Sequence, residues 1–509
     1  MARSIGQITM KISPMRLRLL ATCLLTVSFL GAMDHTVVST SLATIAGELG
    51  ALQYMSWIVV GYTLASTVLL PVLGKLEEVL GARKIFLGSL AIFLLASLGC
   101  GFAADFGWLI ATRVLQGMSA AGLQLMSQTI IARVTTQRER PRYMAMIGAA
   151  FPVAILVGPL LGGIITEQWG WQWVFWINIP LGVLALVLAL FALPKLEGQA
   201  SPRGFDIAGA SVFTFSLVAL ILGITWASEP GFPPVAMAGL GASLCGFALF
   251  LWIETRAAEP MIPLGIFRNR TVAAGTALSA IIGVGLFSIT AYLPTYIQMA
   301  YQASITVSGL VPIATVFGML CSNLFTGWWA SRTGGYWMFP VIGSSLGSAG
   351  LFAMALLPAG QPLWIPMAIM AVVGIGTGSF MNLLVALVQG AVPVRQTGII
   401  TATVNLVRQI GSTVATAVIG VSVAAGVAGL LPAGLDAATL TPQQVHAAAA
   451  PVQSEVAQIY ASVFAPVFAA LAIAYAAGIL AALCLPRGRL SSAPAGAAHE
   501  ASEPVTTRS

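Results

Sequence analysis

The chain alternates long apolar runs with short polar joints. Runs long enough to cross a hydrocarbon core, which takes about 20 residues of helix, fall at residues 17–40, 54–73, 85–104, 108–131, 143–165, 174–193 and 206–227. They recur at 234–253, 271–298, 305–330, 337–357, 363–391, 399–427 and 460–484. The pattern predicts an all-α protein with fourteen membrane-spanning helices. Its longest joint, 428–459, is rich in Ala, Pro and Gln and carries Asp436 and Glu455. The tail from Ser491 is rich in Ala, Ser and Pro, a composition that buries too little apolar surface to order itself.

Composition agrees with this pattern. Hydrophobic residues make up 58% of the 509 and charged residues 8%, against about 25% charged in a soluble domain. The bilayer is therefore the main solvent. A net charge of +7 would raise nucleic-acid binding in a soluble chain, yet the basic residues are scattered between the runs, so no nucleic-acid partner is expected. Lys and Arg accumulate in short cytoplasmic loops. With the N-terminus inside, Arg3, Lys11, Arg16 and Arg18 precede the first run, Lys75, Arg83 and Lys84 fill one joint, and Arg133, Arg138, Arg140 and Arg142 fill another. Lys195, Arg203, Arg256, Arg268, Arg270, Arg332, Arg395, Arg487, Arg489 and Arg508 fall on the same side. That puts 21 of 23 basic residues inside and none outside, with Arg113 and Arg408 left within helices. The expectation is an even number of spans, both termini cytoplasmic.

Other chemistries find little support. Arg16 and Arg18 followed by an apolar stretch would suit a signal peptide, but Asp34 stands where a small-residue cleavage site belongs, so this is read as the first span. Cys23, Cys100, Cys245, Cys321 and Cys484 lie in apolar runs without C-x-x-C spacing, and no disulfide framework is implied. The histidines, at 35, 446 and 499, offer no metal site. No G-x-x-x-x-G-K-S/T loop is present to bind ATP, and no constellation of carboxylates or metal ligands suggests an enzyme.

Several motifs recur at helix ends and faces. The joint after the second run reads GKLEEVLGARK (Gly74–Lys84), in which Gly74 and Gly81 allow turns and Glu78 and Arg83 can latch helix ends across one face. The fourth run contains RVLQGMSAA (Arg113–Ala121) and the fifth AILVGPLLGG (Ala154–Gly163). In the latter, Gly158, Gly162 and Gly163 let helices approach closely and Pro159 bends one of them. WQWVFWINIPLG (Trp171–Gly182) leads into the sixth run and FDIAG (Phe205–Gly209) opens the seventh. GWWASRTGG (Gly327–Gly335) is a degenerate copy of the first joint, with Ser331 where the acid would be. The first run carries MDHTVVSTSL (Met33–Leu42).

Together these motifs resemble the fourteen-span drug:proton antiporter family of the major facilitator superfamily, over about residues 20–485. The resemblance implies a major facilitator fold with two pseudo-symmetric six-helix bundles and two extra helices. Its parts would be a cytoplasmic N-terminal segment (1–16), a first bundle (17–194), an inserted pair (195–256), a second bundle (257–485) and a disordered cytoplasmic tail (486–509). It implies export of lipophilic, often cationic compounds across a bacterial inner (plasma) membrane by a monomer, with no cofactor and with the proton-motive force as the drive. A dedicated exporter of one metabolite, antibiotic or siderophore, or a lipid translocase, remains open on the same fold.

Among the acids, Asp34 alone is expected deep in a helix. A carboxylate there is costly to keep charged, so it is a candidate to gain and lose a proton. The resemblance gives the corresponding Asp a part in proton coupling. Arg113 lies at a matching depth, about 9 Å below the outer end of its helix, and is the candidate partner. A motion separating the two would switch the affinity of Asp34 for a proton. Gln116, one turn on, would bond a substrate, a water at the proton site or a neighbouring helix. His35 is turned by about 100° from Asp34 and would serve coupling or packing. In the thirteenth run Asn405, Arg408 and Gln409 form a polar cluster able to orient substrate or tether two helices. Trp57, Tyr62, Phe151, Tyr292, Tyr296, Phe380 and Met381 are candidates to line an adaptable cavity.

Overall fold

The structure, a computed structural model, describes residues 13–196, 198, 206–227, 234–257, 260–431 and 442–491. Readings that fall on Arg3, Lys11, Arg203, Phe205, Asp436, Arg508 and the tail beyond Ser491 lie outside the described residues. The long helices are α1 Pro14–Glu48, α2 Ser56–Leu80, α3 Ala82–Gly101, α4 Phe106–Val134, α5 Arg140–Trp169, α6 Gln172–Ala192 and α7 Ile207–Ala227. After them come α8 Pro234–Glu254, α9 Arg270–Ala300, α10 Leu310–Thr333, α11 Met338–Leu356, α12 Trp364–Gly390, α13 Thr397–Leu430 and α14 Ala450–Leu483. Among the described residues, 13 helices are long and apolar enough to cross a membrane. The helix left over, α4, has 29 residues, about 43 Å at 1.5 Å per residue. Arg113, Gln116, Gln124 and Gln128 dilute its apolarity, so its length and its packing against α2 and α3 place it with the others.

Several boundaries differ from expectation. α1 starts with Pro14, a residue suited to a helix's first turn, with the Ser13 hydroxyl accepting the Arg16 N–H. It then continues past 40 to Glu48. α9 makes a π turn at Gly283–Phe287, and α14 begins at Ala450 rather than 460. The tail expected to be disordered from 486 is held as far as Ser491. The Leu490 N–H donates to the Gly334 carbonyl at 2.9 Å and the Arg138 N–H to the Ser491 carbonyl at 3.1 Å. The Tyr336 hydroxyl donates to the Pro486 carbonyl at 2.7 Å.

Packing repeats with an offset of eight helices. α1 packs on α5 and α6, α2 on α4, and α3 on α4 and α6; likewise α9 packs on α13 and α14, α10 on α12, and α11 on α12 and α14. The first bundle is thus α1–α6 and the second α9–α14. α7 and α8 pair with each other, and α7 lies on both α2 and α13. Phe213 and Phe250 from this pair share a cluster with Val68 of α2 and Ile399 and Leu406 of α13, covering that side of the join between bundles.

The bundles join at the end that bears the basic joints. A Cβ on Gly74 of α2 would lie 2.8 Å from the Ala402 Cβ of α13, and one on Gly327 of α10 would lie 2.4 Å from the Ala145 Cβ of α5. Small residues let these helices touch backbone to backbone. Asn323 donates to the Ala145 carbonyl at 2.9 Å, and Gln137 to the Gly390 carbonyl at 3.1 Å. Along α13 every residue from Thr397 to Leu406 is buried, whereas from Val407 onward only Ile419 and Val427 are. The join closes one end, and toward the opposite end the residues of α13 beyond Leu406 are only partly covered, which leaves a cleft between the bundles there.

Candidate functional site

The first bundle carries a buried, closely hydrogen-bonded polar core. Arg113 of α4 donates to Asp34 Oδ2 of α1 at 2.7 Å, and the pair is sealed, with Asp34 1% and Arg113 0% exposed. Asp34 Oδ1 accepts from the Gln116 amide and from the Asn178 amide of α6, each at 2.8 Å. Gln116 also donates to the Ser97 hydroxyl of α3 at 2.9 Å and accepts from Arg113 at 2.8 Å. The remaining guanidinium edge donates to the Ile58 carbonyl at 3.2 Å, and the Tyr62 ring lies 4.4 Å from its carbon, a cation–π distance. Arg113 and Gln116 reach one carboxylate because residues three apart share a helix face. An ionised carboxylate accepts about four hydrogen bonds, and one cationic donor and two neutral amide donors fill three of these places on Asp34.

The structure brings Asp34 and Arg113 together and places Gln116 against the acid, Arg113 and Ser97. Asn178 and Ser97 were missed. Asn178 sits inside the WQWVFWINIPLG motif as an amide flanked by Ile177 and Ile179, a signal that was available; Ser97 gives none. His35 points elsewhere: it is exposed toward the cleft, with its ring edge-on to Tyr62 at 6.2 Å.

The glycines of the fifth run explain how α1 is held. A Cβ on Gly158 would fall 2.1 Å from the Thr36 hydroxyl, and one on Gly162 would fall 2.2 Å from the Thr40 hydroxyl. The Thr36 hydroxyl donates to the Ala154 carbonyl at 3.1 Å. Ala154, Gly158 and Gly162 share one face at four-residue spacing. Gly163, by contrast, has open space where its Cβ would be, and Pro159 is exposed; neither takes part in this contact.

The joint motif works partly as expected. Gly81 takes φ +86° between α2 and α3, a conformation that favours glycine. Glu78 pairs with Lys75 at 2.9 Å and approaches Arg395 of the second bundle at 4.0 Å, so its cross-bundle partner is Arg395 rather than Arg83. The acid missed by the sequence reading is its neighbour Glu77, 0% exposed and paired with Arg133 at 2.5 Å. It packs beside Gly398 of α13, where a Cβ would meet its carboxylate.

In the second bundle Asn405 donates to Gln128 Oε1 of α4 at 2.8 Å, bridging the bundles, and Arg408 donates to Asn405 Oδ1 at 2.5 Å. Gln409 is half-buried beside them. Tyr292 is half-buried on α9, its hydroxyl beside Gly420. Phe380 and Tyr296 are core residues rather than cavity linings: Phe380 is fully buried against Gly343, and Tyr296 is buried against Phe464 and Phe468. Met381 is buried, while Trp57 and Phe151 are half-buried. Among the described residues no group of three His, Cys, Asp or Glu is placed to hold a metal ion.

Comparison with known proteins places this architecture. The family model described as Major Facilitator Superfamily matches residues 24–416. The MFS-type transporter Rv1877 of Mycobacterium tuberculosis, itself uncharacterised, is 32% identical over 412 residues, 80% of this chain and 60% of its own length. The chain thus spans about three fifths of that relative. The multidrug transporter protein MdtP of Bacillus subtilis is 30% identical over 408 residues, covering 79% of this chain and 74% of its own. The crystal structure of the human organic anion transporter MFSD10 (TETRAN) superposes with a TM-score of 0.60 at 15% identity, over 91% of this chain and 99% of its own; at that identity the likeness shows the fold alone. A family match across most of the chain, on a fold of two repeated helix bundles, makes this chain a member of the major facilitator superfamily.

Proposed function

We propose that the chain is a proton-driven exporter of lipophilic compounds, working as a monomer by alternating access in a bacterial inner (plasma) membrane with both termini cytoplasmic. The observation that carries this reading is Asp34: a carboxylate inside the membrane, ion-paired to Arg113 and bonded by Gln116 and Asn178. Protonation removes the charge that holds Arg113 and frees an amide-rich neighbourhood to rearrange. Because Thr36 of α1 bonds the Ala154 carbonyl of α5, and α5 meets α10 at the closed end, a change at Asp34 reaches the join through packed helices. Relatives named as multidrug transporters support lipophilic cargo.

A membrane potential supplies about 2.3 kcal/mol per charge per 100 mV, enough to drive tenfold accumulation at about 1.4 kcal/mol per decade. The test is proton release when a lipophilic substrate is added to purified protein in weak buffer. Wild type releases protons and Asp34→Asn does not; release by the Asn variant as large as that of wild type would end the proton-site assignment.

A further inference from the structure

Each buried carboxylate described inside the helices already has a partner. Asp34 is taken by Arg113, Glu77 by Arg133 and Glu78 by Lys75, while Glu254 accepts the Ile262 N–H. Arg408 is a cation at mid-depth of α13 whose one hydrogen-bond partner among the described residues is neutral, the Asn405 amide oxygen at 2.5 Å. No carboxylate among the described residues lies within ion-pair distance of it. Asn405 and Arg408, three residues apart, share a helix face, and that face looks toward α4, because Asn405 donates across the join to Gln128. Arg408 sits where α13 passes from fully buried to half-exposed, where the cleft begins.

The backbone that presents it is firmly placed. A Cβ on Gly283 of α9 would fall 2.0 Å from the Arg408 carbonyl oxygen, so glycine alone permits this approach. The π turn of α9 begins at the same residue; π turns concentrate at functional sites. A guanidinium held in this way, with most of its five donors uncommitted, is complementary to a carboxylate, sulfonate or phosphate oxygen pair.

We infer that Arg408, with Asn405 orienting it, is the substrate-anion subsite of the cleft, and that the preferred cargo is a lipophilic organic anion. This is opposite in sign to the often cationic cargo that the sequence resemblance implies. It rests on the reading of the chain as a transporter but not on proton coupling, since it concerns equilibrium binding.

The test uses three fluorescent probes sharing one naphthalene scaffold, ending in a carboxylate, a primary amide or a primary amine, titrated into the full-length protein in nanodiscs. Wild type should bind the carboxylate about tenfold or more tighter than the amide, the range of a charge-assisted hydrogen bond. Arg408→Gln should erase that gap and leave amide binding unchanged, which also reports that the variant is folded. Arg408→Lys should keep part of the gap, lacking the planar fork. Should Arg408→Gln fail to fold, Asn405→Asp supplies an internal anion to Arg408 and should likewise erase the gap. Equal affinity of wild type for carboxylate and amide, tightest binding of the amine, or a gap that survives either substitution would overturn the subsite. Asp34→Asn should keep the carboxylate preference while losing proton release, so failure of the coupling reading and failure of this one give different results.

Discussion

In the first bundle Arg113 meets Asp34 at 2.7 Å inside a shell of amides; in the second, Arg408 meets an amide oxygen and, among the described residues, no acid. The bundles repeat helix for helix in packing, and the repetition does not extend to charge. Packing rests on small residues at facing positions, and such contacts tolerate a change of polar group elsewhere on the helix. The two arginines are accordingly placed differently: Arg113 is sealed against its own acid, and Arg408 is only half-buried, bonded to an amide.

The sharpest way to break this comparison is Asp34→Asn, which should reduce pH-gradient-driven efflux from everted vesicles to background while the protein still inserts and binds substrate. Efflux at wild-type rate would mean that the first bundle's pair is purely structural. Next in size is Arg113→Ala. Removing one partner of a buried pair costs about 3–5 kcal/mol, and denaturant titration of the purified protein should show it; in any folded fraction the pH profile of transport should also shift. The same titration of Arg408→Gln should show a loss below about 1 kcal/mol, because no buried charge is orphaned. Equal losses for the two arginines would remove the contrast between them.

Two smaller effects sharpen it further. Gly158→Val forces methyl groups into the Thr36 hydroxyl and should cost about 1–3 kcal/mol, the usual range for overpacking, with a matching fall in thermal midpoint. Asn178→Ala leaves Asp34 with Arg113 and Gln116 and should cost about 1 kcal/mol. A loss as large as that of Arg113→Ala would show that the amide, not the cation, holds the acid.

Fourteen helices and the meeting of Asp34 with Arg113 were readable along the chain, because a bilayer imposes a fixed length of apolar helix and taxes any charge left within it; the expected depth of about 9 Å was not, since α1 runs on to Glu48, 14 residues beyond Asp34. Such signals are local and survive without neighbours. The α4 helix shows their limit: polar side chains that hydropathy counts against a span are there because other helices satisfy them. The tertiary structure alone decided that Asn178 completes the Asp34 shell, that Glu77 is the buried acid beside Glu78, that Phe380 is core, and that the tail binds back through Ser491. Each of these depends on which residues, distant in sequence, come within 3 Å, and side-chain period says which face a residue occupies but not what faces it. The lack of an acid beside Arg408 is of the same kind. A charge in a sequence shows its cost, and only the packed helices show whether that cost is met within the protein or left for a ligand.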